Sequence, residues 1–457
     1  MTDQPERPIR DRDELLEPFR SACKPRARFR VGTEAEKFGV LVESGAPVPY
    51  RGPRGIEAIL ERLCERHGWA AEREVPAGPV IALRRGDASI TLEPGGQLEL
   101  SGAPLETIHL TSAEFSGHLA ELGEPSAELG IAWLGIGFHP FARPEDFDWV
   151  PKLRYGVMRQ YLPTRGAHAL DMMQRTCTVQ ANFDYSSEED AVLKCRVAGA
   201  ASPIVTAMFA NSPLVEGRPS KWLSQRARVW LDVDPDRTGI PEIVLEKGFG
   251  FARWVEWALD VPMFLVKRNG EVVHNTGQTF RSFLDDGFDG HRATMADWEQ
   301  HLNTLFPEVR LKRTIELRGA DSVPTSMLCA LPALWKGILY HPGSLAAAES
   351  LLGHVGALDA GQRRALREDV ATRALGATIG SRPVRDLAVE LLDLAARGLG
   401  HLGCLSREGK DESIYLAELR SLVETGRCPA DLLLERWRSG GVDGRSAVAR
   451  LMELARY

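Results

Sequence analysis

Arg30-Val-Gly-Thr-Glu-Ala-Glu-Lys-Phe-Gly39 places two glutamates, Glu34 and Glu36, two residues apart in an apolar, extended-looking run. Residues two apart point the same way in a strand, so both carboxylates share one face. The pattern recurs twice. Leu92-Glu-Pro-Gly-Gly-Gln-Leu-Glu-Leu100 carries Glu93 and Glu99 on either side of a Pro-Gly-Gly break, and Leu311-Lys-Arg-Thr-Ile-Glu-Leu-Arg-Gly319 sets Glu316 on the face of Arg318, with Lys312 and Arg313 close by. On a solvated amphipathic strand any one of these glutamates would be unremarked surface charge. Five carboxylates gathered on one surface would instead repel one another unless cations neutralise them. Hard, oxygen-ligated divalent ions that hold nucleotide phosphates are the economical reading.

Working outward, Phe29 to Val42 reads as a strand, and Ile56, Ile59, Leu60 and Leu63 recur at helical spacing over 55–67. Strands are predicted at 80–100, interrupted by Pro94-Gly95-Gly96, and at 131–138 after a helix over 104–129. Thr176-Cys-Thr-Val-Gln-Ala-Asn-Phe-Asp184 alternates strictly, with Thr178, Gln180 and Asn182 on one face and Val179, Ala181 and Phe183 on the other. It predicts a strand wet on one side. Ser187 then starts a long helix running to Phe209. Further strands are predicted around 263–274 and over 310–318. From about Ser344 the chain turns to Leu, Ala, Arg and Glu at helical spacing, with Pro383 and Pro429 where helices begin. The fold class is α+β: a mainly antiparallel sheet with helices on its apolar face and a polar face left as a site. The expected sections are a lead-in over 1–25, a catalytic core over 26–340 and a helical section over 341–457.

The 457 residues, 44% hydrophobic and 26% charged, belong to an ordinary globular protein. A formal charge of −7 without a basic stripe speaks against nucleic acid as partner. No run approaches the roughly 18 apolar residues of a membrane span, and the charged first twenty residues lack a secretory core. A cytoplasmic location is expected. Seven scattered cysteines without a C-x-x-C pair suit reduced thiols. P-loop, zincin and nucleophile-elbow motifs are missing, so a nucleotide must be bound another way. His139 and His168 read as structural residues.

Several longer motifs then carry a family likeness: Gly32-Thr-Glu-Ala-Glu-Lys-Phe-Gly39, the run from Ser89 to Thr107, that from Leu170 to Asn182, Asn211-Ser-Pro-Leu-Val-Glu-Gly217, Phe306 to Arg313, and Arg318-Gly-Ala-Asp321. In this order they resemble glutamate–cysteine ligase of the plant and proteobacterial type, from about Ser21 to the C-terminus. The resemblance implies a glutamine synthetase-like fold, with a curved sheet whose concave face binds metal-bridged ATP. It implies two or three Mg²⁺ held by Glu34, Glu36, Glu93, Glu99 and Glu316, with Arg318 facing the transferring phosphate. Lys312, Arg313 and Gln180 would lie against the nucleotide and metals. Arg154 and Arg226 match positions that look like clamps for the substrate glutamate carboxylates, and a guanidinium fork suits a planar carboxylate; as residues alone, both fit structural ion pairs equally well.

The implied reaction joins glutamate to cysteine through an acyl phosphate made from ATP, in a monomer or homodimer. A ligase for another amine, a small-molecule phosphotransferase on the same scaffold, and a non-catalytic thiol-sensing protein are the competing readings. The intact acidic set and Arg318 speak against the last. Where plant relatives carry two disulfides, this chain has Cys329 opposite Ser112, and Asn275 with no cysteine in Leu284-Asp-Asp-Gly-Phe288. Thiol switching by those bonds is not expected.

Overall fold

The computed structural model describes residues 7–268, 271–439, 449, 451–453 and 455. Its centre is the Val31–Leu41 strand, long enough to pair with three partners. Thr178–Phe183 lies antiparallel on one side, Leu98–Ser101 on the other, and Ile131–Leu134 takes over beyond Lys37. The nine-stranded sheet continues past Thr178–Phe183 to Ile315–Asp321 and Val309–Leu311, and past Leu98–Ser101 to Ala88–Leu92, Ala82–Arg85 and Ala70–Glu72. Every pairing in it is antiparallel.

Alternation assigns the two faces. Val31, Ala35, Leu98, Leu100, Val179, Ala181, Phe183, Ile315 and Leu317 are all buried. Onto this side pack Glu188–Met208, against Ile315–Asp321, and Ala330–Leu339, against Thr178–Phe183 and Val31–Leu41. Pro342–Gly356, Ala360–Arg373 and Val384–Leu402 surround those two helices in turn. One continuous apolar cluster joins Leu15 and Phe19 of the lead-in to Leu419 and Val423 near the C-terminus. Burial at about 25 cal/mol per Å² of apolar surface makes this side the source of cohesion. The polar side is left to the site.

Four expectations are corrected. The segment around 263–274 forms a separate two-stranded hairpin, Val266–Arg268 with Glu271–Val273, outside the main sheet. The predicted 310–318 strand is itself a hairpin, because Thr314 and its neighbours reverse the chain. Ala70–Glu72 is a strand the periodicity did not signal; it is three residues long and exposed on the sheet edge. Glu188–Met208 is, by length and composition, apolar enough to cross a membrane, but 83% of its apolar window is buried within the fold. It serves as a core helix.

Candidate active site

The polar face of the sheet is the floor of a cleft of about 500 Å³. Glu36 stands directly opposite Glu99 in the register between the central strand and Leu98–Ser101. Glu34 stands opposite Gln180 on the other side. Glu93 reaches the same cleft from the end of the neighbouring strand. Its position follows from a tight turn: Gly96 N–H donates to the Glu93 carbonyl at 2.9 Å with φ at +85°, and a Cβ on Gly95 would lie 2.7 Å from the Gln174 carbonyl. Only glycine fits both demands. The Pro-Gly-Gly break thus returns Glu99 to the cleft that Glu93 faces.

Neutral donors hold these carboxylates in place. Asn182 Nδ2 donates to Glu34 Oε1 at 2.8 Å, Thr178 N–H to Glu36 Oε2 at 2.9 Å, and Gln180 Nε2 to Glu36 Oε1 at 3.3 Å. Glu99 accepts from Thr91 Oγ1 at 3.1 Å and from the Ser101 hydroxyl. These bonds do not neutralise charge. Burial, reinforced by Glu316 and Glu99, pushes Glu34 up to about 7. Burial, with Glu93 and Glu99, pushes Glu36 well above the usual carboxylate range, and burial with Glu93 raises Glu99. Like charges opposed across strands destabilise one another, and a divalent cation would relieve both penalties. An all-oxygen donor set suits a hard ion such as Mg²⁺, which takes one or two carboxylates and completes its shell with water and phosphate. Among the described residues, no three His, Cys, Asp or Glu form a ready-made metal cage.

Glu316 is in a different state. It is fully buried, and Arg310 grips both its oxygens, Nε to Oε2 at 2.9 Å and Nη2 to Oε1 at 2.7 Å. Lys312 Nζ adds a contact to Oε2 at 2.8 Å, and Arg318 Nη1 one to Oε1. Burial alone would raise this carboxyl, but Arg310, Lys312 and Arg318 outweigh it and hold Glu316 well below the ordinary range. Arg318 also donates to Gln180 Oε1, which links the cationic end of the cleft to Glu36.

Arg226, buried at 5% exposure, lines the cleft from the short helix Gln225–Val229. Arg154 sits exposed on the rim in Leu153–Tyr161, its guanidinium over the Tyr155 ring at 5.1 Å. Lys312 lines the cleft as expected, whereas Arg313 does not. Arg313 occupies the turn of the hairpin, points to solvent and pairs with Glu299 at 2.8 Å. His139 is a buried structural residue whose Nδ1 accepts from Ala142 N–H at 3.0 Å. All seven cysteines are free thiols.

Sequence reasoning missed Arg310 and Lys152. Arg310 was legible, since a hairpin turning at Arg313 sets Arg310 opposite Glu316. Lys152 was not. It arrives from a distant loop to donate to the Leu92 carbonyl at 2.8 Å, beside the acidic floor, and burial followed by Arg154 lowers its pKa to about 8.

Residues 30–451 match the family described as glutamate-cysteine ligase family 2. The chloroplastic glutamate–cysteine ligase of Brassica juncea is 44% identical over 93% of this chain and 81% of its own length. Chloroplastic glutamate–cysteine ligase B of Oryza sativa subsp. japonica is 44% identical over 94% and 84%. The Arabidopsis thaliana enzyme is 44% identical over 93% and 80%. The crystal structure of glutamate–cysteine ligase from Francisella tularensis in complex with AMP superposes with a TM-score of 0.56 at 13% identity, covering 93% of this chain and 87% of that one. At that identity the likeness is one of fold.

Proposed function

This chain belongs to the glutamate–cysteine ligase family 2, and from that premise we propose that it joins the γ-carboxylate of L-glutamate to the amino group of L-cysteine with cleavage of ATP. That reaction is the first step of glutathione biosynthesis. The observation that carries the reading is that one cleft within the family-matched span holds both the paired acidic floor and the buried arginines.

A carboxylate offers no leaving group to an amine, so it is first phosphorylated by ATP. The γ-carboxylate oxygen attacks the terminal phosphorus, ADP departs, and an acyl phosphate remains. The cysteine amine then attacks the acyl carbon and inorganic phosphate leaves. We propose Mg²⁺, two or three ions held by Glu34, Glu36, Glu93 and Glu99 with Glu316 at the cationic end, as the metal. When bound, Mg²⁺ would neutralise and align the transferring phosphoryl group. Arg318, fixed by Glu316 and Gln180, presents a guanidinium toward the same space, where charge develops on the transferring oxygens. Arg226 and Arg154 would hold the carboxylates of the amino-acid substrate. An acyl phosphate hydrolyses in water, so the amine has to reach it before water does.

ADP release with Mg²⁺, ATP and glutamate, measured with and without a panel of amines, tests the reading. Turnover that depends on cysteine, with the dipeptide appearing, is expected. Steady amine-independent release of a stable phosphorylated product would replace it with a phosphotransferase, and preference for another amine would move the acceptor.

A further inference from the structure

Asp321 closes the Ile315–Asp321 strand three residues beyond Arg318 and is fully buried, yet no hydrogen bond to its carboxylate comes from its own strand. Oδ2 accepts from Asn211 N–H at 2.8 Å and from Ser212 Oγ at 2.6 Å, and Oδ1 accepts from Ser224 Oγ at 2.8 Å. Ser224 leads into the Arg226 helix, and Ser212, next to Asn211, forms a bridge with Ser224. Each hydroxyl is used twice. Ser224 Oγ, donating to Asp321, accepts from Ala227 N–H at 3.0 Å and so caps the helix. Ser212 Oγ, donating to Asp321, accepts from Arg226 N–H at 3.2 Å.

A carboxylate has only acceptors, so it forces both hydroxyl protons toward itself and leaves both lone pairs to the helix. The other end of Arg226 is tied to the same strand. Arg226 Nη2 donates to the Arg318 carbonyl at 2.8 Å, within the register shift between Leu317 and Ala320. Such a bulge leaves a ladder group unpaired. Room for the carboxylate is also specific: a Cβ on Gly137 would lie 2.4 Å from Asp321 Cγ.

We propose that Asp321 is a positioning residue for substrate binding: by orienting the Ser212 and Ser224 hydroxyls it sets Arg226 against the Arg318 strand, and so sets the clamp for the carboxylate of the amino-acid substrate. The inference rests on the proposed function, in which Arg226 binds that substrate. Its carboxylate bonds Asn211, Ser212 and Ser224 rather than the glutamates of the acidic floor, so a selective signature is expected.

The test is a double-mutant cycle on the full-length enzyme, with Asp321→Asn, Arg226→Lys and the pair, reading KM for glutamate, KM for ATP and kcat. An amide at 321 turns N–H toward at least one of the three donors. Asp321→Asn is expected to raise the glutamate KM about tenfold or more, the loss of a charged hydrogen-bond set, with the ATP KM within about twofold. The double variant is expected to be no worse in glutamate KM than Arg226→Lys alone, since coupled residues are not additive. Equal rises in both KM values, or effects that multiply in the double variant, would overturn the proposal. Should Asp321→Asn lose its cooperative thermal transition, Ser224→Ala removes only the Ser224 hydroxyl, with its bond to Asp321 and its cap on Ala227 N–H, and an unchanged glutamate KM there would overturn it equally. If the wild-type enzyme proves to turn over a different carboxylate, the proposed function fails, and the same cycle on that substrate still decides the role of Asp321.

Discussion

Arg310 and Glu316 face each other across the Val309–Leu311/Ile315–Asp321 hairpin, joined by a fork of bonds at 2.7 and 2.9 Å in a site that excludes solvent from Glu316 altogether. Because Lys312 and Arg318 share the same carboxylate, Arg310 fixes the anion around which the cationic end of the cleft is arranged. Arg310→Met is expected to destabilise by about 1.5–3 kcal/mol, the worth of hydrogen bonds to a charged group, and to lower kcat. Arg313→Ala, three residues on and solvent-facing, is expected to leave both unchanged. Urea denaturation and steady-state turnover of the two variants, side by side, check the contrast.

Glu99 lies on the floor opposite Glu36, and its carboxylate accepts from the Thr91 and Ser101 hydroxyls. Replacing it with glutamine removes charge without opening the core. Glu99→Gln is expected to lower kcat/KM by about 100-fold or more, several kcal/mol of lost charge stabilisation, with a melting temperature in the absence of Mg²⁺ that is no lower, since one of two opposed charges is removed. Full activity at ordinary Mg²⁺ would remove Glu99 from the ligand set.

The raised carboxyls give metal binding a pH dependence. Below about 7 Glu34 is largely protonated in the metal-free protein, and above it ionised. A ligating carboxylate must be ionised, so binding near pH 6 has to displace protons. Mg²⁺–nucleotide binding, followed by calorimetry in buffers of different ionisation enthalpy, is expected to show proton release at pH 6 that diminishes as the pH rises through about 7. Glu34→Gln is expected to reduce that release. A buffer-independent enthalpy at pH 6 in the native chain would contradict the assignment.

His301 is buried, its Nε2 2.8 Å from the Ala258 carbonyl, and desolvation lowers its pKa to about 3. An unfolded histidine titrates near 6.5. Between those values the unfolded chain binds a proton that the folded chain refuses, so stability is whole above about pH 6.5 and declines as pH falls toward 3. His139, also lowered to about 3 by burial, works in the same direction. His301→Gln, which retains a donor for Ala258, is expected to flatten the slope of denaturation midpoint against pH between 7 and 5. An unaltered slope would remove His301 as a source of acid lability.

The acidic faces were legible because strand alternation is local: Glu34 with Glu36, and Gln180 with Asn182, need only a period of two to share a side. The Pro-Gly-Gly turn was legible for a similar reason, since Gly95 and Gly96 announce a backbone that other residues cannot follow. Arg313 went astray because a strand was continued through a hairpin turn, and one reversal sends a side chain from cleft to solvent. The 266–273 hairpin was misplaced because a short apolar run does not say which sheet it joins.

What the sequence determined by itself, then, is the chemistry of each strand face and the family to which the chain belongs, because both are written in short-range spacing and residue type. Which carboxylates stay charge-starved, how Asp321 reaches Arg226, and how Lys152 comes to the floor were decided by tertiary structure alone. Those relationships join residues tens to more than a hundred positions apart, and burial and Coulomb interactions act on distance in space, which no local pattern encodes.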